Sequence, residues 1–235
     1  MLPKIDRVTF TEKLPTSEEQ VVFRQMTVRE EKILLTCKEV DSYRAKLDAI
    51  LQVLNRCIIS SQTKVEDMTI TDVEYLFLKI RSVSVSNIST VSFVDTEDKI
   101  TRKFDINLDK LEVKSSSEKN TGLIAVNDKI SIKMRYPTAS MIVNDSSEGI
   151  NEDLDSIIAR CVVEIYDGDT IISASSVDKT EMIEWLDGAP PLVMKEIGTF
   201  FDSMPRLYYK IEYVNEIGNK RSVELTSLED FFSWR

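Results

Sequence analysis

Histidine is missing from all 235 residues, and glycine and proline contribute only 6 each. Without an imidazole there is no Ser-His-Asp triad, no histidine general base, no haem-type ligation and none of the usual catalytic zinc sets. Six dispersed glycines build no phosphate-cradling loop, and neither a Gly-x-Ser-x-Gly elbow nor a Ser-x-x-Lys with its partner motifs occurs. Three cysteines, Cys37, Cys57 and Cys161, are too few and too scattered for a disulfide framework or a four-thiolate metal site. They lie on apolar helical faces and read as buried, reduced thiols. No run approaches the roughly 20 apolar residues of a membrane span. The amino terminus, Met1 to Asp6, lacks the apolar centre of a signal peptide, so a reducing cytoplasm is the expected setting. Positive charge is also in short supply: 30 lysines and arginines face 40 acids, for a net charge of -10. Nucleic acid and anionic membranes are therefore not expected partners.

What is present is a core. Apolar residues make up 42% of the chain and charged residues 30%, the balance of a globular protein of one or two domains. The patterning predicts an α+β fold, helices combined with antiparallel hairpins and a β meander, in two subdomains, 1–143 and 150–235. The boundary is expected in the loop Asn144-Asp145-Ser146-Ser147-Glu148-Gly149, which has no apolar residue to bury. Runs at Val8-Thr9-Phe10 and Val21-Val22-Phe23 flank a polar turn and predict a hairpin. Thr27 and Glu30 form a capping box, and an apolar stripe from Leu34 to Ile58 follows at helical spacing, on one long helix or two consecutive ones. Thr71 and Glu74 repeat the box ahead of Val73, Leu76, Phe77 and Ile80. Strand patterns then cover Ile88 to Val94, Ile100 to Ile106, Leu111 to Val113 and Lys129 to Tyr136. In the second half, Leu154, Ile157, Ile158, Cys161, Val162 and Ile165 predict a helix capped by Asn151, and Asp178 with Glu181 predicts another. A third opens at Pro190-Pro191 and buries Leu192, Ile197, Phe200, Phe201 and Met204. A hairpin around Gly218-Asn219 comes next, and Thr226 with Glu229 starts a terminal helix over Leu228 to Trp234.

Few constellations carry chemistry. Asp167-Gly168-Asp169 resembles a fragment of a calcium loop, but the twelfth position is Asp178 and the alternate positions between are mostly apolar, so a helix-ending turn is expected. Lys114 with Lys119, or Lys129, Lys133 and Arg135, read first as a solvated sheet face and second as a contact for an acidic partner. The carboxy terminus stands out, because Phe231, Phe232 and Trp234 fall on a helix too short to hold alone. Either these rings dock on the chain's own hairpin or they anchor a partner, as interface aromatics do. The terminal hairpins also offer edges for strand addition.

The segments Phe23-Arg24-Gln25-Met26-Thr27-Val28-Arg29-Glu30-Glu31-Lys32-Ile33-Leu34-Leu35 and Asp72 to Val85, with Ile165-Tyr166-Asp167-Gly168-Asp169 and the ending Leu225 to Phe232, resemble the baseplate hub subunits and hub-assembly proteins of T4-like contractile-tailed bacteriophages. The likeness spans nearly the whole chain. It implies a viral, non-enzymatic protein that helps build the central hub of the tail baseplate, as a virion component or as an assembly factor. Its partners would be other baseplate and tail hub proteins in an oligomeric assembly, made in the host cytoplasm. Where relatives of that family carry a Cys-x-x-Cys pair in the terminal hairpin, Asn215 to Asn219 contains no cysteine, so no metal, cofactor or catalytic residue is carried over. The alternative reading is a carboxylate-based cell-wall hydrolase of the tail hub, which the lack of histidine permits. The candidate partner-binding residues are Phe231, Phe232 and Trp234.

Overall fold

A computed structural model describes residues 3, 6–37, 42–115, 121–143 and 154–231. In chain order the elements are β1 (Thr9–Lys13), β2 (Gln20–Arg24), α1 (Val28–Thr36), α2 (Tyr43–Cys57), β3 (Ile58–Ser60), α3 (Ile70–Ser84), β4 (Ile88–Val94), β5 (Thr101–Asn107) and β6 (Glu112–Lys114). They continue with β7 (Leu123–Ala125), β8 (Ile130–Met134), α4 (Ala139–Val143), α5 (Leu154–Cys161), β9 (Val162–Asp167) and β10 (Thr170–Ser173). The last are α6 (Lys179–Asp187), α7 (Pro191–Asp202), β11 (Arg206–Val214), β12 (Lys220–Leu225) and α8 (Leu228–Phe231). All the strand pairings described are antiparallel, so the fold is α+β.

The chain forms two compact units, residues 1–114 with 205–235, and residues 115–204. This differs from a cut in the 144–149 loop, which lies outside the described residues and within the sequence span of the second unit. The physical reason is the register of β11. It pairs with β12 and also with β6, opposing Arg206 to Lys114, Leu207 to Val113 and Tyr208 to Glu112, so the carboxy-terminal hairpin belongs to the first unit.

The first unit has three small sheets, β1-β2-β3, β12-β11-β6 and β4-β5, around α2 and α3. Its interior is Phe23, Leu47, Ile50, Leu54, Leu76, Phe77, Ile80 and Ile106, each almost wholly buried. Phe10 and Phe23 oppose one another across β1 and β2 and stack at 5.8 Å. The Thr27–Glu30 capping box forms as expected, and the Leu34-to-Ile58 stripe is two helices, α1 and α2. At α3 the cap is Thr69, whose hydroxyl accepts from Asp72 N, in place of Thr71. Thr71 is already inside the helix and donates to the carbonyl of Pro205 at 2.6 Å.

The second unit is the meander β10-β9-β8-β7 with α4 to α7 packed about it. The helix expected through Ile165 stops at Cys161, and Val162 to Asp167 form the strand β9. The run Val162-Val163-Glu164-Ile165-Tyr166 is β-branched and aromatic and lies between two strands, so sheet packing overrides an apolar spacing that also suits a helix. Gly168, at φ +57, makes the tight turn from β9 to β10, so Asp167-Gly168-Asp169 is a hairpin turn and not a helix end. Asp178 caps α6 and Pro191 opens α7, but Leu192 is exposed and Val193 takes its place in the core with Ile197 and Phe200. The expected cap Asn151 lies outside the described residues.

Candidate functional site

The residues nominated from sequence separate at the carboxy terminus. Phe231 is fully buried in the first unit, where its carbonyl accepts from Ser89 Oγ at 2.8 Å. Phe232 and Trp234 lie outside the described residues. The helix is one turn, Leu228–Phe231, and Asp230, not Glu229, completes its box: Asp230 Oδ2 accepts from the Thr226 and Ser227 amides and the Ser227 hydroxyl, each at 2.9 Å. Leu228 is buried and its amide donates to Glu74, while Glu229 pairs with Lys46 at 3.3 Å. This terminal turn is held by its own chain, as a helix that short must be.

Forty acids suggest catalytic carboxylates, and among the described residues five of them, Glu19, Glu30, Asp72, Glu74 and Asp95, are buried, with Glu19 accepting from the amides of Gln62 and Thr63. Each is occupied. Asp72 accepts from the amides of Thr16 at 2.8 Å and Ser17 at 3.2 Å, which ties the β1–β2 turn to α3, while burial raises its pKa. Glu74 accepts from the Leu228 amide and the Tyr43 hydroxyl. Asp95 begins the β4–β5 turn and accepts from Tyr213 Oη at 2.6 Å, a bond that holds its carboxyl below the usual range. Arg221 bonds Glu97 at 2.9 Å and Asn215 bonds it at 2.7 Å, while Arg102 pairs with Asp98. Tyr213 lies against Phe93 and Phe104, so the acidic turn Asp95-Thr96-Glu97-Asp98 is clasped by the β11–β12 hairpin. These donors are fixed partners, and a carboxylate so engaged is a structural brace.

Glu30 differs, because it borders open space. Its carboxylate accepts from Arg24 Nη2 at 3.1 Å and from the Thr27 amide at 2.7 Å, and despite burial these donors lower its pKa to about 2. Arg24 also donates to the carbonyls of Gln25 at 2.8 Å and Arg56 at 2.7 Å. Beside this pair opens a cleft of about 560 Å³ lined by Arg7, Arg24, Thr27, Val28, Arg29, Glu30 and Arg56. Arg7, Arg29 and Arg56 are exposed. Four different segments supply the arginines, and only the Thr27–Glu30 box among its residues carried a sequence signal.

A second open feature is β10. It pairs with β9 alone, and among the described residues no strand covers its outer edge. Ile171 is 62% exposed and Ile172 38% exposed, and the strand carries neither charge nor proline.

A family model described as T4 bacteriophage base plate protein matches residues 6–233. The chain belongs to that family. No curated protein and no solved structure matches it. The match runs through both units, so the whole described fold is that of a base plate protein. Membership means a structural role in the phage tail, among other base plate components. Among the described residues of this base plate protein, no helix is long and apolar enough to cross a membrane. Nor, among them, do three His, Cys, Asp or Glu side chains gather as a metal-holding group.

Proposed function

We propose that this base plate protein is a non-enzymatic hub component or hub-assembly factor that works by binding other tail proteins. The observation that carries the reading is the free edge of β10, where unpaired backbone N–H and C=O groups lie beside two exposed isoleucines. Such an edge is a template for a strand from another chain, and natural edges that are not used are blunted with charge or proline. Placement in the hub rests on the likeness of Phe23 to Leu35 and of Asp72 to Val85 to hub subunits. The engagement of the five buried carboxylates by fixed donors supports contact over hydrolysis.

The test is co-expression with the other base plate proteins of its phage, followed by size-exclusion chromatography. The expected result is a stable complex that Ile171→Lys weakens without lowering the melting temperature, since that side chain is exposed. Failure to form any complex would defeat the reading. So would clearing of cell-wall material that a single acid-to-amide substitution abolishes. Mass spectrometry of purified tails distinguishes a hub component from an assembly factor that leaves.

A further inference from the structure

We propose that the cleft between the start of α1 and the end of α2 receives an acidic peptide segment of a partner protein. Four arginines line it against one glutamate, three positive charges in excess, on a chain whose net charge is -10. Arg24 is neutralised by Glu30, and no ion pair engages Arg7, Arg29 or Arg56 among the described residues. Like charges gathered at one cleft repel each other until an anion arrives, and guanidinium forks match carboxylates in two-bond geometry.

The position of Arg29 points away from a purely structural purpose. It is the second residue of α1, in the first helical turn, where a cation meets the positive end of the helix dipole and is unfavourable. Thr27 and Glu30 already satisfy the local donors, the Arg29 amide among them, so the Arg29 side chain adds nothing to the cap and its charge opposes the dipole. Arg56, in the last turn of α2, is favourable there, and its carbonyl fixes Arg24. Val28, 66% exposed at the rim, offers apolar surface for the stem of an incoming glutamate. The cleft's volume suits a few side chains. A long polyanion such as nucleic acid would leave the cleft and meet the acidic remainder of the surface, whereas a short acidic segment keeps its charge local.

This inference rests on the contact reading and names the chemistry of one partner surface. The probe is a fluorescein-labelled twelve-residue polyglutamate, titrated by anisotropy at about 50 mM and about 300 mM salt, where screening lengths differ about 2.5-fold. The expected result is saturable binding that weakens about tenfold or more with the added salt. The double variant Arg29→Glu/Arg56→Glu should bind about tenfold more weakly or worse. Arg29→Glu alone should melt no lower than the parent, because it improves the helix terminus, so weaker binding in it reports the site and not the fold. No binding, or binding unchanged in the double variant, overturns the proposal. Tighter binding of oligothymidylate of the same length overturns it in favour of a phosphate ligand. A salt-sensitive dimer abolished by the same reversals overturns it in favour of a second copy. Loss of peptide binding with the β10-dependent complex intact strikes the cleft alone, and the reverse pattern strikes the edge-strand reading alone.

Discussion

Glu74 is buried on α3, and desolvation raises its pKa to about 7, against the Leu228 amide and Tyr43 hydroxyl that favour the charged form; Asp230 and Glu229 add repulsion. A folded-state value above the ordinary glutamate value of 4.5 means that its stabilising contribution is present at low pH and is lost as pH rises from about 4.5 through 7. The swing is of the order of 3 kcal/mol. Glu74→Gln should therefore melt higher than the parent at about pH 8, with a flatter stability profile between about pH 5 and 8, measured by thermal unfolding. Glu30 has the opposite sign. Its depressed value places the loss of its contribution between 4.5 and about 2 as pH falls. Phe231, with 0% exposure, is a core residue, and Phe231→Ala should cost about 3–5 kcal/mol in urea unfolding. Burial also raises the thiol pKa of Cys57 to about 11 and of Cys161 to about 12, while Cys37 is half-buried and stands apart from both. A thiol-specific reagent at neutral pH should accordingly titrate one cysteine in the folded protein and all three after denaturation.

At the scale of elements, local chemistry set most termini and tertiary contacts set the rest. Hairpins β1–β2, β4–β5 and β11–β12 follow from alternating apolar runs around polar turns, and α1, α6 and α7 begin at the capping residue or proline that marks them. Two helix starts turn on which of several neighbouring hydroxyls caps them. Thr69, Thr71, Thr226 and Ser227 can all serve as caps by residue type; Thr71 is drawn instead to the distant Pro205 carbonyl, while the terminal turn is closed locally by Asp230. Entry into β7 shows a stricter requirement. Gly122 has φ +70, and a Cβ there would run into the carbonyl oxygen of Met134, whose amide donates back to Gly122 O at 2.7 Å. Gly122→Ala should destabilise the second unit, through both the forbidden backbone region and the displaced strand, with loss of cooperative melting of that unit as the readout.

For the whole molecule, the decisive fact is that residues 115–204 interrupt a strand pair. Lys114 ends β6 and Arg206 begins β11, and these two residues oppose each other in the ladder. Replacing 115–205 by a two-residue Asn-Gly turn should then leave the first unit folded, with a single cooperative transition and dispersed amide spectra. An unfolded product would show that the first unit depends on the insertion. Each unit buries its own apolar cluster, which is the basis for expecting independence.

Composition alone determined that this chain lacks imidazole chemistry, glycine phosphate loops and thiolate clusters, and periodicity determined the α+β class and most hairpins, because these depend on residue type and short spacing. Where the second unit begins and ends, which strand Val162 to Asp167 joins, and the gathering of Arg7, Arg24, Arg29 and Arg56 at one cleft were decided by tertiary structure. Those depend on pairings between residues far apart in the chain, and no local pattern of side chains encodes which distant segment will supply the partner.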